Sequence, residues 1–174
     1  MNTEKISLVV KDIYNASIGC NNKEKILIFS DDVWLNACDS NKYIFQIFHE
    51  IACQNGLSVQ KFIYDNVGRN GAEPPAILWH FVFGEEFCSK IHFNTLSNKD
   101  VTVEDLLTLK HLIDFERLPD VIVALAKYST SHTIFRKFLN QLGVRYASMP
   151  NVEEDMFYDS LAVDYGELKR ETLL

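Results

Sequence analysis

A layered α/β fold, with helices on both faces of a mostly parallel sheet, is what this sequence predicts, and three observations carry it. Residues 121–126 read VIVALA, a continuous apolar run with β-branched side chains, as a strand covered on both faces requires. A hydroxyl-rich turn follows, and then an amphipathic helix with Ile134, Phe135, Phe138, Leu139 and Leu142 on one face, closed by Gly143. The chain then re-enters a strand at 144–147, which completes a βαβ unit. Similar apolar runs alternate with helical periodicity nearer the N-terminus. The class is therefore a three-layer, doubly wound domain of Rossmann or flavodoxin type, around a sheet of about four or five strands.

The elements follow in order. Thr3 is placed to cap a first helix carrying Ile6, Val9, Val10, Ile13 and Tyr14 on one broad face, ending near Gly19. Residues 25–29, KILIF, form the first buried strand, and Ser30-Asp31-Asp32 closes it. After a short polar stretch, Ser40 is expected to cap a helix that turns Ile44, Ile47, Phe48, Ile51 and Ala52 inward and stops at Gly56. Residues 57–64 alternate more visibly and read as a strand nearer the sheet edge.

The loop at 65–75 contains two glycines and a Pro74-Pro75 pair, so a helix is expected from about 76 to 87. Ile91-His92-Phe93 reads as a short strand or as loop. Thr102 and Asp105 have the spacing of a capping box ahead of Leu106, Leu107, Leu109, Leu112 and Ile113. The βαβ unit follows Pro119. After Pro150 an acidic helix start at 151–155 leads to Met156, Phe157 and Leu161. Alternating strands and helices imply right-handed crossovers and a mostly parallel sheet. In the order 2-1-3-4, inferred from the doubly wound pattern and from no pairing signal, Asp31, Asp32 and residues 129–133 share one rim at the switch point.

Composition bounds the function. The 174 residues fit one domain with a sizeable core, and 47% hydrophobic residues exclude a disordered chain. A net charge of −7 without a basic cluster argues against nucleic acid as a partner. The N-terminus has mixed charges and no apolar run before a cleavage site, and no stretch is long enough to span a bilayer, so a cytoplasmic location is expected and no membrane partner. Cys20, Cys38, Cys53 and Cys88 lack CxxC pairing and are expected to be buried thiols.

Ser129, Ser131, His132 and Thr133 form the most suggestive constellation. A helix N-terminus offers unpaired N–H groups and partial positive charge, and the hydroxyls add donors, so a small carboxylate or phosphate has a place to dock. The plainer reading is that Ser131 or Thr133 only caps the helix. No GxGxxG or GxxxxGK[ST] stretch supports a nucleotide. His132 with Asp31 or Asp32 and a serine has the composition of a catalytic triad, but GxSxG is missing. Histidines 49, 80, 92 and 111 show no HExxH pattern, and Trp79, Phe81, Phe83 and Phe87 are assigned to core packing. Glu73 is either held toward the rim by the two prolines or a solvated loop acid.

Three stretches together resemble a known family. They are NGAEPP at 70–75, STSHT at 129–133, and GVRYASMP at 143–150 with VEEDM at 152–156 and VDY at 163–165. In combination they are similar to the N-terminal domain of the aminopeptidase T-like leucyl aminopeptidases, a group that includes the 2,5-dihydroxypyridine 5,6-dioxygenases. The resemblance spans essentially the whole chain, with 83–117 longer than usual and Asn151 where the family has glycine. It implies a metal-dependent enzyme whose divalent metal is bound by a C-terminal domain. Residues 1–163 would then be one α/β domain and 164–174 the start of a helix leading to the metal-binding domain. No catalytic residue and no metal ligand carries over to this chain. On that reading it is a non-catalytic N-terminal domain serving substrate access, domain packing or dimerisation, with the metal-binding domain or a second copy as partner. The alternatives are a self-standing module for a small anion, with Ser129, Ser131, His132, Thr133, Asp31 and Glu73 as candidate contacts, and an oligomerising protein.

Overall fold

The computed structural model describes residues 2–93, 96, 101–165 and 167. Four parallel strands carry the fold: β1 (Lys25–Asp31), β2 (Ser58–Tyr64), β3 (Val121–Leu125) and β4 (Arg145–Ser148), in the order β2-β1-β3-β4. This is the 2-1-3-4 order expected from the sequence, with β2 at one edge. Strand β3 is buried along its whole length, and its alternation divides the core. Val121, Val123 and Leu125 join one cluster with Ile26 and Ile28 of β1, while Ile122 and Ala124 join the other with Leu27 and Phe29. Each fully buried Val, Leu or Ile side chain contributes on the order of 1.5–3 kcal/mol, so the continuous apolar run holds both layers to the sheet.

The first layer contains α1 (Thr3–Asp12), which continues as a π-helix (Ile13–Ile18), together with α2 (Asp32–Ala37), α3 (Asp39–Gln54) and a late 3₁₀ turn (Glu154–Tyr158). Four expectations are corrected here. Asn2, not Thr3, caps α1, its side chain accepting the Lys5 N–H. The polar stretch after β1 is itself a helix, α2, capped by Asp31. Ser40 does not cap α3, because the helix already begins at Asp39; its hydroxyl donates to Glu154 Oε2 (3.0 Å). The acidic start after Pro150 gives a 3₁₀ turn rather than an α-helix.

The second layer contains α4 (Ala76–Phe83), α5 (Glu85–Cys88), α6 (Val103–Thr108) and α7 (Ile134–Gln141). The single helix expected over 76–87 is broken at Gly84, whose φ of +86° suits glycine and whose missing Cβ would meet Asp114 Cβ at 3.2 Å. Residues 91–93 are not a strand. The capping box of Thr102 and Asp105 forms as read from the spacing. Trp79, Phe83 and Phe87 are fully buried against Phe135 and Phe138, as the core assignment required.

Helix α7 ends in a Schellman motif. The Val144 N–H donates to Leu139 O (3.0 Å) and the Gly143 N–H to Asn140 O (3.0 Å), with Gly143 at φ +89° and Leu139 and Val144 in one apolar cluster. After β4, Asn151 takes φ +50°, the left-handed conformation that asparagine tolerates in a glycine position. All four cysteines are free, but only Cys88 is buried; against expectation Cys20 is partly exposed and Cys38 and Cys53 are exposed. The helix expected over 164–174 lies outside the described residues apart from 164, 165 and 167. No helix among the described residues is long and apolar enough to cross a membrane.

Candidate functional site

The carboxyl ends of the strands form the rim where a doubly wound sheet ordinarily meets its ligand. Here the rim is cross-linked by the chain's own side chains. Asp31, at the end of β1 and 1% exposed, accepts the Trp34 N–H on Oδ1 (2.8 Å) and the Lys127 N–H on Oδ2 (2.5 Å). It thus caps α2 and ties β1 to the exit of β3. Asp32 Oδ1 accepts the Asn66 N–H (2.8 Å), tying β1 to the exit of β2. Lys127 Nζ donates to Asn151 Oδ1 (2.7 Å), tying β3 to the exit of β4. Side-chain bonds therefore link the four exits in their spatial order.

The turn at 129–133 is equally occupied. Glu73 reaches over from the loop after β2 and accepts the Ile134 N–H on Oε1 (2.5 Å) and the Phe135 N–H on Oε2 (3.1 Å). Thr133 Oγ1 accepts the Arg136 N–H (3.2 Å) and donates to Thr130 O (2.7 Å). The first three amides of α7 are thereby satisfied, two by a carboxylate and one by a hydroxyl, which is how a helix N-terminus is stabilised from within. Asn70 Oδ1 accepts the Ser129 N–H (2.7 Å) and the Gly71 N–H donates to Ser129 O (2.8 Å), so the 70–73 loop docks along its length on the 129–134 turn. Burial pushes the Glu73 carboxyl above the ordinary glutamate range; the two N–H donors and the Lys137 ammonium oppose that shift without cancelling it.

The remaining residues of the corner have local roles. Ser129 Oγ accepts the Ser131 N–H (3.2 Å), a serine turn. Ser131 O accepts from Arg136 Nη1 (3.0 Å). The hydroxyls of Thr130 and Tyr146 are 2.9 Å apart, and burial drives the Tyr146 phenol well above its usual range. His132 is exposed above Gly71.

The structure thus brings Glu73 to Thr133 and the start of α7, and Asp31 to the exit of β3. It does not join His132 to Asp31 or Asp32 by a hydrogen bond, and both aspartates are engaged with backbone N–H groups. No triad is assembled. The role of Glu73 as a cap on a helix 61 residues away was not legible in the sequence; the two prolines that follow it were the available signal, since they stiffen the loop that delivers it. His80 has a carboxylate partner that its helical spacing did not suggest, Glu85 Oε2 at 2.8 Å, which the break at Gly84 turns back toward it. Among the described residues, no three His, Cys, Asp or Glu side chains are grouped so as to hold a metal ion. No family model, curated protein or solved structure matches this chain.

Proposed function

We propose that this chain is a non-catalytic α/β scaffold, the kind of domain that supports a metal-binding neighbour in an aminopeptidase-like enzyme. One observation carries the scaffold reading: the three rim carboxylates all accept backbone N–H groups, Asp31 and Glu73 on both oxygens and Asp32 on one. Asp31 and Glu73 therefore lack the free oxygen that a catalytic carboxylate turns to substrate, a nucleophile or a metal. The aminopeptidase part rests on the sequence resemblance. It gains support from the way two of the stretches that carry it, 70–75 and 129–133, fold onto each other as one interlocked corner. Asn151, which stands where the resembled family has glycine, takes φ +50°, a left-handed conformation open to glycine.

The same lacing disfavours an anion at the start of α7, because the amides it needs are already taken. The experiment is a peptidase assay of the purified chain on leucine p-nitroanilide, after incubation with Zn²⁺, Co²⁺ or Mn²⁺. No turnover above the metal-only blank is expected. Turnover that rises with bound metal and disappears with a chelator would overturn the scaffold reading.

A further inference from the structure

A cleft of about 1070 Å³ opens beside the interlocked corner, between the 67–73 loop, the start of α6 and the start of α7. Its lining includes three basic side chains, Arg69, His132 and Lys137, all exposed. Arg69 and His132 have no side-chain ion pair or hydrogen bond with the described residues, and Lys137 has only the field of Glu73. Two acids stand among the described lining residues, Glu73 and Glu104. Glu73 holds the Ile134 and Phe135 amides, and Glu104 sits in the first turn of α6, where a negative charge complements the helix dipole. With Glu73 spent on backbone amides, Arg69 and Lys137 outnumber Glu104, so the described lining has an excess of positive charge in a chain whose net charge is −7. Val67, Val103 and Ile134 supply an apolar wall beside it. Its size is at the upper end of small-molecule sites, which combine apolar walls with a few placed polar groups.

We propose that this cleft binds a small organic anion: an acyl or aryl body carrying one carboxylate or phosphate. Arg69, Lys137 and His132 take the charge, and the valines and Ile134 take the body. The anion is held by side chains in front of Glu73, not by the helix N-terminus behind it. This site is independent of whether the domain has a metal-binding neighbour.

Isothermal titration of the full chain at low salt tests it, with phenyl phosphate and hexanoate as probes and inorganic phosphate and acetate as their charge-only counterparts. Saturable single-site binding of at least one organic probe is expected, about tenfold or more tighter than its counterpart. The Arg69→Ala, Lys137→Ala double variant should weaken that binding about tenfold or more while its unfolding midpoint stays near the parent's. The Lys11→Ala, Lys42→Ala double variant, which removes the same charge elsewhere on the surface, should bind as the parent does. Absence of saturable heat with both organic probes, equal affinity for probe and counterpart, or an equal loss in the two double variants would each overturn the proposal.

Discussion

Asp31 and Glu73 do the same work at the same rim by opposite routes. Each is a carboxylate that accepts two backbone N–H groups, and each satisfies the start of a helix. Asp31 caps the helix that it begins, three residues ahead of Trp34, and uses its second oxygen to reach Lys127. Glu73 belongs to no helix; it comes from a loop and lends both oxygens to α7. Asp31 is 1% exposed and welded between two strands, whereas Glu73 is only partly buried and faces a cleft. A cap built into its own helix becomes part of the core, and a cap lent by another segment becomes a joint between segments. The two should therefore fail differently.

The largest expected effect is at Asp31. Asp31→Ala strands the buried Trp34 N–H and the part-buried Lys127 N–H, each costing roughly 1–3 kcal/mol, so a loss of about 3 kcal/mol in urea unfolding is expected. A loss under about 1 kcal/mol would show that the β1–β3 clamp is not structural. Glu73→Ala, at a half-buried site that water can reach, should cost about 2 kcal/mol. Its signature is local: hydrogen exchange should speed up at the Ile134 and Phe135 amides and stay unchanged at Trp34. Uniform acceleration across both helices would contradict the picture of a joint. If either carboxylate served catalysis instead, its removal would tend to stabilise the chain, since active-site groups are commonly held at a cost to stability.

A smaller effect sharpens the Glu73 side of the comparison. Thr133→Val removes the hydroxyl that takes the third amide of α7, and about 1 kcal/mol is expected, as for other N-caps. Because Glu73 and Thr133 share one helix start, Glu73→Gln and Thr133→Val should be non-additive by about 0.5 kcal/mol or more in a double-mutant cycle. Strict additivity would mean that the amides are satisfied independently.

The difference between the two carboxylates also explains what the sequence disclosed. The βαβ unit, the Thr102–Asp105 capping box and the Gly143 terminator were legible because each rests on local spacing or on a continuous apolar run, whereas the 2-1-3-4 order followed only from the usual arrangement of doubly wound sheets. Helix α2 was missed because DVWLNA is too short for a periodicity to emerge, although Asp31 is a good cap residue three positions before the amide it holds. The break at Gly84 was missed because the largely apolar stretch 76–83 and Phe87 beyond it outweighed one glycine. At the candidate site, the hydroxyl-rich turn was correctly set at the start of a helix, and Thr133 does cap it. What fills the amides was not visible, because Glu73 arrives from another crossover and nothing in local patterning ties residue 73 to residue 134.

The smallest expected effect, and the most specific to Glu73, is its pH dependence. Its carboxyl is raised in the folded protein, chiefly by burial, above the value it has in the unfolded chain. Between those two values the folded state holds a proton that the unfolded state has released, so stability falls as pH rises. The contribution is fully present below the ordinary glutamate value, roughly pH 4, and is lost as pH climbs through the raised value. Glu24 runs the other way. Burial opposes its charge, but the Arg145 guanidinium, at 2.5 Å, and the Asn21 donors outweigh it and hold the carboxyl below the ordinary range, so its stabilisation is lost as pH falls. Subtracting the urea-unfolding free energy of Glu73→Gln from that of the parent at each pH cancels Glu24 and leaves Glu73 alone. That difference should decline from about pH 4 toward pH 7. A difference that grows over the same range would mean that the two amides of α7 overcome burial and that Glu73 stands ionised in the fold as a fixed counter-charge to its helix.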